Sequence, residues 1–222
     1  MAEIFDEWPE KYDEWFQTPI GSLVKHYESR LFLEMVRPEP GEKILDAGCG
    51  TGVFTADLLA SGARVTGLEL SMPMLRHAGK RSSGLPFHMV RGDMRQLPFA
   101  EGIFDKTVSV TAIEFLHEDA PGAVAEMFRV TRPGGLVVVA SLNGLSPWAS
   151  RRKAVKDHPI FSRVRFRSPS EMAALAQLQP SIRTAVHFLK DDDPSRAKEI
   201  EEQGESRGLD TGAFLVACWK KP

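Results

Sequence analysis

The segment from Lys43 to Ala60 constrains the fold more than any other part of the chain. A short apolar run, Lys43-Ile44-Leu45, leads into Asp46-Ala47-Gly48-Cys49-Gly50-Thr51-Gly52. A helical stretch follows over Val53 to Ala60, with Phe54 and Leu58 on one face and Gly62 as its stop. Three glycines in five residues exceed what a plain strand-to-helix turn requires. They let the backbone approach a ligand closely, and the helix start behind them offers unpaired N–H groups and a partial positive charge.

The alternation continues downstream. Val65 to Leu70 reads as a second strand, and Ser71 as the N-cap of a helix with Pro73 in its first turn. Phe87 to Val90 and Thr107 to Val110 suit the third and fourth strands. Asp119 is expected to cap a helix carrying Val124, Met127 and Phe128, closed by Arg132-Pro133-Gly134-Gly135. Leu136 to Ala140 is apolar throughout, as in a parallel strand covered on both faces. Strands alternating with helices predict an α/β fold with right-handed crossovers.

Upstream, the spacing of Val24, Tyr27, Leu31 and Met35 predicts a helix over Ser22 to Val36. Residues 143–167 are loop-rich and basic. Ser168-Pro169-Ser170-Glu171 is a capping box that should start a helix running to about Gln179. Ile182, Thr184, Val186 and Phe188 alternate like a half-buried strand, residues 190–211 are weakly patterned, and Phe214 to Trp219 suits a last strand.

A length of 222 residues suits one domain. Lys plus Arg is 28 against 30 for Asp plus Glu, so the basic excess of a general nucleic-acid binder is missing and no nucleic-acid partner is expected. Two cysteines, Cys49 and Cys218, build neither a disulfide scaffold nor a metal knuckle, and no metal is expected. No apolar run approaches a membrane span, and Glu3, Asp6, Glu7 and Glu10 stand where a leader would be basic and then apolar. A soluble, cytoplasmic protein is expected.

Three acids sort the possible ligands. The dinucleotide fingerprint asks for a small residue at position 53, where this chain has Val53. Asp46, two residues before the first glycine, would repel a pyrophosphate and welcome a cationic amine, which favours a ligand with an amino-acid end. Glu69 ends the second strand, where a carboxylate accepts hydrogen bonds from a ribose diol; this suits NAD and S-adenosylmethionine alike. Asp93, after Gly92 beyond the third strand, can accept from an adenine amino group while the next N–H meets a ring nitrogen.

Taken in order, the glycine loop, Glu69-Leu70-Ser71 with Met74-Leu75, Gly92-Asp93 with Leu97-Pro98-Phe99, Phe104-Asp105 and Arg132-Pro133-Gly134-Gly135 resemble the motifs of class I S-adenosylmethionine-dependent methyltransferases. The resemblance is closest to the small-molecule group, methyltransferase type 11, that includes ubiquinone and menaquinone biosynthesis enzymes. It covers about residues 41–142. It implies a doubly wound, Rossmann-like sheet of seven mostly parallel strands, the last antiparallel, beneath an N-terminal helical lid. S-adenosylmethionine would lie along its carboxyl edge and leave as S-adenosylhomocysteine.

Carried over by position, Asp46, Gly48 and Gly50 would face the methionine part, with Cys49 contributing mainly backbone. Glu69 would take the ribose hydroxyls, Leu70 and Met74 would pack beside the adenine, and Asp93 with Met94 would read its edge. Thr111 would lie near the sulfonium, and Tyr12 would reach the methionine carboxylate from the lid. The whole would be one methyltransferase domain: lid and helix at 1–40, cofactor-binding core at 41–142, acceptor-side insert and helix at 143–180, closing strands at 181–222.

Methyl transfer needs alignment and dryness more than side-chain chemistry; a base is required only where the acceptor must lose a proton. The candidates for that role are Glu114 and His117, and Phe16 and Trp148 are candidate walls of the acceptor pocket. Glu114-Phe115-Leu116-His117 departs from the neutral or aromatic run expected of a quinone enzyme. The basic stretch 151–167 is either a solvated face or a means of capturing an anionic acceptor or partner. The expected partner is a small-molecule acceptor, and the expected state a monomer or homodimer. Two alternatives are a nicotinamide-dependent oxidoreductase, disfavoured by Asp46 and Val53, and a non-catalytic module that binds S-adenosylmethionine and regulates a partner.

Overall fold

The computed structural model describes Asp6, residues 9–154 and residues 160–222. Its strands are β1 (Lys43–Ala47), β2 (Arg64–Glu69), β3 (Phe87–Arg91), β4 (Phe104–Val110), β5 (Thr131–Leu142), β6 (Ser181–Ala185) and β7 (Phe214–Lys220). They form one seven-stranded sheet in the order β3-β2-β1-β4-β5-β7-β6. The pairs from β3 to β5 are parallel, while β7 runs antiparallel to both β5 and β6, as in Val138 opposite Cys218. This is the mostly parallel α/β sheet that the alternating pattern predicts. Among the described residues, no helix is long and apolar enough to cross a membrane.

Side chains alternate across the sheet, so each central strand is apolar on both faces. Val108, Val110, Val138 and Ala140 point to one side, where they pack with Leu31 and Phe32 of α2 (Pro19–Val36) and Phe54 and Leu58 of α3 (Val53–Ala60). Leu45, Val137, Val139, Leu215 and Trp219 point to the other, toward Val124 and Met127 of α5 (Ala120–Val130). α1 (Pro9–Gln17) precedes α2, and α4 (Met72–Arg81) lies between β2 and β3.

Several helices begin where their caps predict. α3 has the expected bounds, and Ser71 caps α4 by accepting from the Met74 N–H. α2 starts three residues before Ser22, because Thr18 Oγ1 accepts from the Gly21 N–H at 3.0 Å with Pro19 in the first turn. Asp119 stands before α5 but its side chain does not cap it; the carboxylate instead takes Arg95 at 2.9 Å. β5 begins at Thr131, earlier than Leu136: the Arg132–Gly135 stretch bulges out of register with β4, with Gly134 at φ 76° and its N–H bonded to the Lys221 carbonyl at 2.9 Å.

The second half departs further from expectation. The Ser168 capping box is present, but its helix α7 (Pro169–Ala173) stops six residues before Gln179. Met172 and Leu175 are drawn into the core under β7, Trp219 Nε1 takes the Leu178 carbonyl at 3.0 Å, and Pro180 disfavours helix at the residue before it. β6 ends at Ala185, since Val186 adopts φ 66° and the chain leaves the sheet there. The basic segment contains α6 (Pro147–Ala154), and the weakly patterned one contains α8 (Ala197–Ser206). Glu201 of α8 is fully buried and accepts the N–H groups of Val186 and His187 at 2.9 and 2.7 Å, satisfying the backbone that β6 abandons.

Candidate active site

The glycine loop sits at the carboxyl end of β1 and is pinned to its neighbour: Gly48 and Cys49 N–H both donate to the Leu68 carbonyl, at 2.7 and 3.0 Å. Gly48, Gly50 and Gly52 have φ of 81°, 53° and 80°, a region that side chains disfavour. A Cβ on Gly48 would lie 2.6 Å from Ala112 Cβ, whereas one on Gly50 would meet nothing within 4 Å. The loop is therefore packed on one side and open on the other. No side chain caps α3 at Gly52, so its first N–H groups are left for a ligand.

Two carboxylates lie against the loop, Glu69 on its open side and Asp46 buried behind it. Asp46 is 2% exposed; Thr55 Oγ1 donates to its Oδ2 at 2.6 Å, and burial, with Glu69 adding repulsion, pushes it up to about 7. Glu69 takes Gly50 N–H on one oxygen at 3.1 Å and Ser71 N–H on the other at 2.8 Å. Burial raises Glu69 as well, against those two hydrogen bonds. The Cys49 thiol is pushed up by burial and by both acids, so it stays protonated and supplies backbone and bulk.

The other residues expected on the nucleotide side follow β2, β3 and β4 in the chain. Met74 and Met94 are buried and Leu70 is half-buried. Asp93 is already engaged, since Arg95 Nη2 approaches one oxygen at 2.6 Å and the Arg95 N–H bonds the other at 2.9 Å; the hydrogen bonds from Arg95 hold this carboxyl low. Thr111 adopts φ 49° just past β4, its N–H held by the Ala140 carbonyl at 2.9 Å. Tyr12 lies on α1, and its side chain falls outside the described part of the structure.

The N-terminal segment is fastened to these loops by acids that sequence reasoning did not assign. Thr51 Oγ1 donates to Asp13 at 2.8 Å, Arg81 pairs with the same carboxylate, and Arg81 Nε also takes the Thr51 carbonyl at 3.1 Å. Ser71 Oγ donates to Asp6 at 2.5 Å. The acidic character of the segment was the available signal, but its partners are set only by the fold.

On the acceptor side the two candidate bases part company. Glu114 is 1% exposed in the turn after β4, and burial pushes it up to about 7. His117 is exposed, at φ 46°, with Nε2 2.9 Å from the Arg163 carbonyl, so its ring ties a loop. Phe16 is half-buried and packs against the core. Trp148 is 7% exposed; its Nε1 donates to the Phe188 carbonyl at 2.8 Å and its ring meets Trp15 edge-on at 6.4 Å.

The basic stretch is largely committed within the chain. Arg151 pairs with Asp191 at 2.5 Å, Arg165 with Glu118 and Glu171, and buried Arg167 donates to the Ile113 and His117 carbonyls at 3.1 and 2.9 Å. Among the described residues, no group of three or more His, Cys, Asp or Glu side chains is placed to hold a metal ion.

The glycine loop, with an uncapped helix start behind it and Asp46 and Glu69 beside it, lies at the carboxyl ends of β1 and β2, the edge at which parallel sheets of this kind take their ligands. Residues 45–139 match the model of the methyltransferase domain family. A demethylmenaquinone methyltransferase of Mycolicibacterium gilvum is 30% identical over all of this chain and 95% of its own length. A malonyl-[acyl-carrier protein] O-methyltransferase of Serratia marcescens is 40% identical over 50% of this chain and 42% of that protein, and in matches of this kind the chain spans about half of the relative. The fold is shared with an S-adenosylmethionine-dependent methyltransferase of Thermotoga maritima, with a TM-score of 0.74 at 23% identity and full coverage of both chains. The chain belongs to the methyltransferase domain family.

Proposed function

We propose that the protein binds S-adenosylmethionine at the carboxyl ends of β1, β2 and β4 and transfers its methyl group to a small molecule. The observation that carries this reading is the pair Asp46 and Glu69. Glu69 holds the Gly50 N–H where the glycine loop is open and Asp46 lies buried behind the loop, and their hydrogen bonds come from Thr55, Gly50 and Ser71 rather than from basic side chains. Such a site repels a pyrophosphate and accepts an ammonium, a sulfonium and ribose hydroxyls.

When bound, the cofactor supplies a methyl group already activated on a cationic sulfur. The chain's own residues bind and orient. Gly48 and Gly50 bring backbone to the methionine end, with Asp46 behind them as the acid, and the methionine carboxylate is assigned to Tyr12. Glu69 would accept from the ribose diol and Leu70, Met74 and Met94 would enclose the adenine; Asp93, whose two oxygens take four hydrogen bonds from Arg95, would have to release one of them to meet the adenine edge. Thr111 stands by the sulfur. Closure of α1 over the loop, fastened by Asp13 and Asp6, excludes water so that the acceptor can approach in line.

The same reading takes all 222 residues as one methyltransferase domain in a reducing cytoplasm, supported by the free thiols Cys49 and Cys218, and as a monomer or homodimer. Calorimetric titration with S-adenosylhomocysteine and with NAD tests it: saturable S-adenosylhomocysteine binding and none of NAD is the expected result. Tight NAD binding without S-adenosylhomocysteine binding would overturn it.

A further inference from the structure

Beyond Thr111 stands a second group of acids that cofactor binding leaves unused. Glu114 lies in the 3-10 turn Ile113–Phe115, 1% exposed, and neither of its carboxylate oxygens makes a hydrogen bond. The hydroxyls of Ser109 on β4 and Ser141 on β5 are buried and also unpartnered. Glu28 of α2 is 7% exposed and feels the charge of Glu114. Burial pushes Glu28 up to about 8 and Glu114 up to about 7. Arg152 of α6 and Lys25 of α2 oppose the shift at Glu28. Arg167, the Ser141 hydroxyl and the backbone at Glu114 and Leu142 oppose it at Glu114, the polar groups at geometries too poor for a hydrogen bond.

The basic groups nearby are spoken for. Lys25 Nζ binds Asp57 at 2.6 Å, the Arg167 guanidinium holds two backbone carbonyls, and Arg152 lies 5.5 Å over the Trp148 ring. Glu114 is short of hydrogen-bond donors, because a buried carboxylate offers about four acceptor sites and the Ser141 hydroxyl beside it carries a single donor. An ammonium brings three donors, no acceptor and a compensating charge. A phenol brings one donor, and a carboxylate acceptor brings none and adds repulsion.

We infer that Glu28 and Glu114 form the acceptor subsite for a protonated amine, so that the small molecule methylated is a nitrogen nucleophile; this rests on the cofactor reading above. The ammonium docks between the two carboxylates with its carbon body toward the Trp15–Trp148 pair. Its N–H proton then passes to a Glu114 oxygen. The bonding pair stays on nitrogen as the lone pair that attacks, and the carboxylate becomes the neutral acid. A carboxyl whose affinity for protons is near neutrality suits that exchange. Glu28, closer to the bases of α2 and α6, holds the charge while Glu114 moves the proton.

The test uses the full chain saturated with S-adenosylhomocysteine. Calorimetric titrations with benzylamine and phenethylamine are compared with benzyl alcohol and phenylacetate as neutral and anionic controls. Amine affinity is expected to exceed both controls by about tenfold or more, and to rise with pH from about 6 to 8, by up to tenfold per unit for one displaced proton. Glu28→Gln and Glu114→Gln should each lower amine affinity about tenfold while leaving the S-adenosylhomocysteine affinity within about twofold, which also certifies their folding.

Amines binding no better than the alcohol, preferred binding of phenylacetate, or an amine affinity that is flat with pH would overturn the inference alone. So would a Glu114→Gln variant that loses affinity for S-adenosylmethionine but not for amines, which would assign the carboxylate to the sulfonium. A wild-type chain that binds no S-adenosylhomocysteine would overturn the cofactor reading, and this inference with it.

Discussion

Replacing Glu69 is the most direct probe of the nucleotide side. Its carboxylate is held in place by the Gly50 and Ser71 N–H groups, at 3.1 and 2.8 Å, so in the proposed complex it would meet a ribose diol with no reorganisation of its own. Glu69→Ala removes the ribose acceptors and strands two loop N–H groups that must then find water. Hydrogen bonds to a charged group contribute about 1.5–3 kcal/mol, which corresponds to about a 10- to 150-fold rise in the Kd for S-adenosylhomocysteine. Glu69→Gln keeps one carbonyl oxygen but turns an NH2 toward one of the loop donors, and should fall between the two, near tenfold. Calorimetry gives the Kd, and thermal unfolding of the unliganded variants checks that the loop still folds. An alanine variant that folds and binds within about twofold of wild type would refute the assignment of Glu69 to the ribose.

Two further perturbations address the loop and the buried acid behind it. Gly48→Ala combines φ 81° with a Cβ placed 2.6 Å from Ala112 Cβ, so it should lower the melting temperature and S-adenosylhomocysteine affinity together. Gly50→Ala, with open space around it, should cost less stability than Gly48→Ala, and equal melting temperatures would argue against the packing described. Asp46 is raised from 3.8 to about 7, so the folded chain keeps a proton that the unfolded chain gives up, and its contribution to stability is lost as pH rises through about 7. Denaturant titrations of Asp46→Asn should therefore fall less steeply between about pH 4 and 7, by up to about 1.4 kcal/mol per unit; parallel curves would show that Asp46 does not hold that proton.

The parts of the fold that were legible in the sequence are those whose punctuation is local. α3 runs between Gly52 and Gly62, α4 starts on Ser71-Met72-Pro73, and β5 is apolar because both faces are covered. α8 escaped notice because its inward face is Ala197, Ile200, Glu201 and Gly204, and a buried glutamate reads as solvent-facing until its backbone partners are known. α7 was over-extended for the same reason in reverse: its capping box is real, but a tryptophan 41 residues away in sequence claims the Leu178 carbonyl.

The candidate site divides along the same line. Asp46, the glycines, Glu69 and Asp93 announce themselves because a strand end followed by a loop is a sequence pattern. Asp6, Asp13 and Glu28 do not, since each draws its meaning from a partner on another element: Ser71, Thr51 with Arg81, and Glu114. His117 shows the converse, a residue singled out by type that the fold uses to hold the Arg163 carbonyl.

The position of β7 bears on how the chain assembles. Residues 214–220 are wedged between β5 and β6, which are joined to each other only through them. While these residues are still to be synthesised, β5 presents an open, apolar edge and β6 has no strand to pair with, so this half of the sheet cannot close. During that interval the exposed edge of β5 is a template for another chain. Assembly of the glycine-loop half, β3-β2-β1-β4, has no such dependence, so the glycine loop can take shape before the other half of the sheet is complete.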